Sequence, residues 1–160
     1  MAVDYFLKID GVPGESTDKA HGKEIDLMSW SWGESNAGKH DSGGGGGAGK
    51  VNMQDFHFTM RVNKASPKLF LACASGQHIK EALLTCRKAG KDQQEYLKIK
   101  FTDLLISSFN TGGSSGAEVP VEQISFNFSK IEHSYAPQKP DGKLDSPVVH
   151  NWSVKTNTGA

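Results

Sequence analysis

What most constrains this chain is a change of step inside its alternating segments. Seven stretches carry apolar residues at a period of two, the pattern of half-buried strands: VDYFLKI (3–9), EIDLMSWSWGES (24–35), VNMQDFHFTMRV (51–62), IKEALLTCRKA (79–89), QEYLKIKFTDLLISSF (94–109), VEQISFNFSKIEHSYA (121–136) and VVHNWSVKT (148–156). In 24–35, Ile25 and Leu27 share one parity, while Met28, Trp30 and Trp32 take the other. In 51–62, Val51 and Met53 are odd, whereas Phe56, Phe58, Met60 and Val62 are even. Residues 119–136 run Val119 and Val121, then Ile124, Phe126 and Phe128, then Ile131, His133 and Tyr135. A flat strand cannot bury all of these, because side chains alternate between its two faces. Either a bulge restores the face and bends the strand, or both faces are buried, one of them against a neighbouring subunit. Both solutions favour a curved sheet, and the second predicts an oligomer.

One helix interrupts the strands. Ser66 is the expected N-cap, Pro67 suits the first helical position, and Gly76 suits the left-handed C-terminal position. Between them KLFLACAS is apolar enough to plug one end of a β structure. The expected fold is mainly β: a small β-barrel of antiparallel strands with one short flanking α-helix and long loops, in a single domain over 1–160. Residues 33–50 hold eight of the 18 glycines and read as a long mobile hairpin loop. TGGSSG (111–116) reads as a shorter turn, and PQKPDGKLDSP (137–147) as an extended surface loop. Such loops are where contacts to partners concentrate.

Charge excludes some partners. Lysine plus arginine number 18 and aspartate plus glutamate 18, so no basic field draws in nucleic acid or an anionic membrane. The longest apolar run, LFLACA (69–74), is far short of the ~20 residues of a membrane helix. MAVDYFLKID lacks the basic-then-apolar pattern of a secretory leader. Cys73 and Cys86 read as two separate buried thiols made in a reducing compartment.

Several motifs suggest chemistry and fail on context. GGGGAGK (44–50) approaches the phosphate-loop pattern, but Val51 stands where a Mg²⁺-binding hydroxyl is needed, and a strand pattern follows in place of a helix. GGSSG (112–116) fits the nucleophile-elbow pattern around Ser114, yet AEVPVEQI after it reads as strand. Histidines 21, 40, 57, 78, 133 and 150 show no metal spacing, so no metal or cofactor is expected, and no catalytic residue. NFS (127–129) and NWS (151–153) match the glycosylation pattern but sit inside strand segments. Trp30 and Trp32 are expected to fill the core, with a sugar-stacking platform as the alternative. Ser29 and Ser31 alternate with them, so a face of small hydroxyls lies opposite the indoles and must meet water or a soluble cargo.

GES (14–16), SWSWG (29–33), GGGGGAGKV (43–51), QDFHFT (54–59), KASPKL (64–69) and RKAG (87–90) occur in an order that resembles the haemolysin-coregulated protein family, inner-tube subunits of the bacterial type VI secretion system. The resemblance spans essentially the whole chain. It implies a small β-barrel with a flanking helix, six-membered rings stacked into a tube, effector proteins carried in the lumen, and sheath and spike-tip proteins as partners. It also implies residence in the bacterial cytoplasm followed by export, without a cleaved leader, to the medium or a target cell. On this reading Ser29 and Ser31 face the lumen and cargo. Gly43, Gly44, Gly45, Gly46, Gly47, Ala48 and Gly49 carry ring stacking, kept reversible by the entropy lost when glycines order. A net charge of zero lets identical rings approach. The competing reading is a monomeric β-barrel module that binds carbohydrate or protein.

Overall fold

A computed structural model describes residues 3–38, 49–90 and 92–160. The strands are β1 (Val3–Ile9), β2 (Ile25–Asp26), β3 (Ser29–Ser31), β4 (Glu34–Asn36), β5 (Val51–Met53), β6 (Phe56–Arg61), β7 (His78–Lys88), β8 (Glu95–Gly112), β9 (Val121–Tyr135), β10 (Val148–Ser153) and β11 (Thr158–Gly159), with α1 (Ser66–Ser75) between β6 and β7. All pairing is antiparallel. One sheet runs β11-β10-β9-β8-β7-β1-β2, and the first half of β9 also pairs with β6, which pairs with β3. Strands β4 and β5 form a separate ribbon, so the ends of the glycine-rich segment are those of a hairpin. Residues 43–48 lie outside the described part.

The changes of step are resolved inside the chain. Residues 24–35 do not form one strand but three, and 51–62 form two, broken at Gln54 and Asp55. The first break lets Ile25, Leu27 and Trp30 all pack on the core, while Met28 between them is exposed. At that break Leu27 N–H donates to the Tyr5 carbonyl and Met28 N–H to the Thr59 carbonyl, so one short segment touches both β1 and β6. The ladder does not close into a complete barrel, because β2 and β3 meet end to end through the chain and not side by side.

A second device crosses three neighbouring strands at one level. The buried position moves from Ile79 to Ala82 in β7, from Leu104 to Phe101 in β8 and from Phe128 to Ile131 in β9. These residues are in register as Ile79–Leu104–Phe128 and Ala82–Phe101–Ile131. Between the two rows Asp103 adopts φ 57°, and Ser129 Oγ donates to the Thr102 carbonyl at 3.1 Å. The three strands therefore crease together. Further along, a bulge around Ser107 shifts the β8–β9 register. Because crease, breaks and bulge bury both parities within one chain, the alternation by itself no longer argues for an oligomer.

The core is aromatic. Phe56, Phe58, Phe101 and Phe126 are each at most 1% exposed, and centroid distances of 4.8–5.1 Å link Phe56, Phe101 and Phe126. Leu69 and Ala72 dock α1 on the same cluster, whereas Phe70 and Leu71 on the helix are exposed. The helix ends as expected on Gly76 with φ 66°. Its start differs: Ala65 is the N-cap, without a side-chain bond, and Ser66 is already helical. The Ser66 hydroxyl is diverted, accepting from Asn63 N–H and donating to the buried carboxyl of Glu122. Ser66→Ala should cost about 2 kcal/mol in urea unfolding, since it removes the donor to a carboxyl 2% exposed. An unchanged midpoint would show the bond to be dispensable.

The 137–147 segment is not extended. Gly142 N–H donates to the Lys139 carbonyl, Lys139 N–H to the Lys143 carbonyl, and Gln94 Nε2 ties the resulting turn to the β7–β8 connection. Cys86 is buried as expected and burial pushes its thiol up to about 12, but Cys73 is only half-buried; both are free thiols.

Candidate functional site

Four strands, β3, β6, β9 and β8, lie side by side and carry a polar face. Their register places Ser29 beside Thr59, Gln123 and Asn110, and Ser31 beside His57, Ser125 and Ser108. The row between them, Trp30, Phe58, Ile124 and Phe109, faces the core, as alternation requires. Trp30 stacks on Phe56 at 6.1 Å and meets Tyr5 edge-on at 6.2 Å. Trp32 is half-buried and donates from Nε1 to the Gln54 carbonyl at 3.1 Å. Both indoles thus serve packing, which leaves the sugar platform without exposed rings.

Ser29 and Ser31 are exposed in a shallow depression of about 340 Å³, lined also by His57, Thr59, Gln123 and Asn110. The Ser29 and Thr59 hydroxyls lie 2.6 Å apart. At one margin the Ser107 hydroxyl donates to Asp55 at 2.5 Å, and the Ser125 hydroxyl lies 2.8 Å from that of Ser107 and 2.5 Å from that of Ser108. The bulge at Ser107 is what brings two successive serines onto Ser125. No imidazole stands between a serine and a carboxylate here, so among the described residues the face holds no activated nucleophile. Its chemistry is that of many hydrogen-bonding groups spread over a gently curved surface.

The other suggestive motifs fare as their context implies. Lys50 is exposed and is followed directly by β5 and not by a helix, so the phosphate-loop geometry is missing. Ser114 lies exposed in a turn leading into β9, again without a helix. Among the described residues no three or more His, Cys, Asp or Glu side chains gather in a way that could hold a metal ion. Among the described residues no helix is long and apolar enough to cross a membrane. Gly49 sits away from the polar face, at the foot of the β4–β5 ribbon, where its carbonyl accepts from Asn36 Nδ2 at 2.8 Å.

Sequence reasoning found two members of the face and missed the rest. His57 and Thr59 were legible, since apolar even positions in FHFT put the odd ones outside. Gln123 and Asn110 needed the strand order, which no local pattern encodes.

Comparison with known proteins gives one answer. Residues 6–135 match the family described as type VI secretion system effector, Hcp. Protein hcp1 of Pseudomonas aeruginosa is 49% identical over 162 residues, with 100% of both chains covered. A type six secretion system protein of known structure superposes with a TM-score of 0.93 at 32% identity, covering 99% of this chain and 100% of the other. Hcp1 from Salmonella typhimurium does so with a TM-score of 0.80 at 35% identity, with 100% of each chain covered. The chain belongs to the Hcp family of type VI secretion system proteins.

Proposed function

We propose that this chain is the inner-tube subunit of a type VI secretion system: six copies close into a ring, rings stack, and effectors travel in the bore without any bond being broken. The observation that carries this reading is a pair of open strand edges. Among the described residues of the four-strand layer β3–β6–β9–β8, the only strand partner of β3 is β6 and that of β8 beyond Leu105 is β9, with Phe70 of α1 meeting Phe109 edge-on at 6.2 Å. Neither edge carries a charge: β3 reads SWS and the β8 tail reads ISSFNTG (106–112). Monomeric proteins guard such edges with lysine, proline or a covering loop. Alternating antiparallel pairs make β3 run opposite to β8, so the β3 edge of one copy can continue the ladder from the β8 edge of the next. That contact joins two different surfaces, the condition for a closed ring. Repeated around the ring, the face bearing Ser29 and Ser31 becomes the wall of the bore.

Residues 43–49 are assigned to ring stacking, the surrounding sheath and the spike tip to the tube's outer and terminal contacts, and the subunit leaves the producing cell with the tube. The test is cross-linking. Antiparallel neighbours have Cα separations of about 4.5–5.5 Å, within disulfide reach. Ser29→Cys with Asn110→Cys, and Ser31→Cys with Ser108→Cys, which share one antiparallel register, should give an oxidised ladder ending at six copies. Native mass spectrometry of the unaltered chain should show the same stoichiometry. A monomer in both measurements would overturn the reading and favour the monomeric binding module.

A further inference from the structure

At the start of β8, far along the strand from the open edge, an ionic cluster built on the buried His21 and Arg87 surrounds the Phe6 ring, with its carboxylates partly exposed. His21 is 8% exposed and lies parallel to Phe6 at 4.4 Å. Its Nδ1 is 2.8 Å from a Glu24 oxygen, and its Nε2 is 2.6 Å from a Glu95 oxygen. An ionised carboxylate only accepts, so each ring nitrogen must carry a hydrogen for both bonds to exist. A neutral imidazole has one N–H. With both carboxylates ionised, this geometry requires the imidazolium.

We propose that His21 is a proton-held latch: its imidazolium fastens the β1–β2 connection, residues 10–24, to Glu95 at the start of β8, and loss of the proton to solvent releases that end of the connection. Once one nitrogen is bare, its lone pair faces a carboxylate, and one of the two contacts turns repulsive. The groups around the latch fix which side opens. On β8, Glu95 keeps Lys98 at 3.0 Å. On β7, Arg87, whose guanidinium lies 4.8 Å from the centre of the Phe6 ring, holds Asp18 of the connection at 2.7 Å and Asp4 of β1 at 2.9 Å. Asp18 in turn accepts from the backbone of Ala20 and His21. Asp26 on β2, whose carboxyl is raised by burial and by Asp4 and Asp18, adds further negative potential. Glu95 and Asp18 thus stay anchored by other cations, and the Lys23 and Glu24 carbonyls accept from Gly14 and Ser16 N–H. What the lost proton loosens is therefore the turn at 19–22 with the His21 ring, held then only through the Asp18 carboxylate.

Burial alone would lower the His21 ring, but the bonds and charges of Glu95 and Glu24 more than reverse this, so its pKa is raised above 6.5. A raised folded-state value means the contribution is complete below the unfolded value of about 6.5 and fades as pH climbs through the folded one. The latch is shut where the ring is protonated and the carboxylates ionised, and it opens in alkali.

The experiment uses the full chain and does not depend on the ring reading. Hydrogen exchange of residues 17–25, corrected for intrinsic rates, is followed from pH 6 to 9 in the wild type and in His21→Gln, which cannot titrate. Protection in the wild type should drop at least tenfold across that range, while His21→Gln changes little. Equal slopes would overturn the proposal. Should His21→Gln fail to fold, nitrogen-15 shifts of the wild-type ring at pH 6.5 decide. Both ring nitrogens protonated is the expected result; a neutral tautomer would sink the latch.

Discussion

Phe126→Ala is expected to lower stability by about 3–5 kcal/mol in chemical denaturation, the range for emptying a fully buried phenylalanine site. Phe126 is 0% exposed and belongs to the single core cluster. Its ring contacts Phe56 at 5.1 Å and Phe101 edge-on at 5.0 Å, and it pairs across the ladder with Phe56 on one side and Ile106 on the other. Rigid strands enclose it on both flanks, so little collapse can fill the void. The proposed ring contacts would add stability by mass action, so wild type and variant are compared at equal concentration. A loss below about 1 kcal/mol would mean that the aromatic cluster is not the centre of the fold.

Ser31→Trp is expected to leave rings intact and to reduce the effector recovered with them at least tenfold, equivalent to about 1.4 kcal/mol of binding free energy. Side chains stand normal to the sheet, whereas the hydrogen bonds that would close the ring lie in its plane. An indole at Ser31 therefore leaves the edges free while roofing the depression shared with His57 and Thr59. Tryptophan is also well tolerated in strands, so β3 itself should persist. Effector recovery with rings and light scattering of the rings read the two outcomes separately. Unchanged recovery would remove Ser31 from the cargo face, and loss of rings would place it at the subunit contact.

Much of this was legible before any coordinates. VDYFLKI gave β1 with both ends correct, and the long segments 94–109 and 121–136 gave β8 and β9 to within a few residues, because alternation over many positions is hard to imitate by chance. The stretch 24–35 is three strands and not one: its change of step is visible in the sequence, but a break and a bulge produce the same pattern. The Ser66 cap failed because a competing acceptor, Glu122, lies 56 positions away. The same distance problem hid the latch, whose members Asp4, Asp18, His21, Glu24, Arg87 and Glu95 share no period and no motif. On the polar face, Ser29 and Ser31 came from alternation alone, while Gln123 and Asn110 required knowing which strands are neighbours.

The two unguarded edges have a cost for the cell that makes the protein. On the ring reading proposed above, a copy without neighbours exposes backbone donors and acceptors that an extended chain can satisfy, so surplus copies are prone to aggregation or capture by unrelated polypeptides. On that reading synthesis must keep pace with assembly, and orphan copies should be short-lived. Turnover measured with and without the rest of the machinery would show whether the cell clears them.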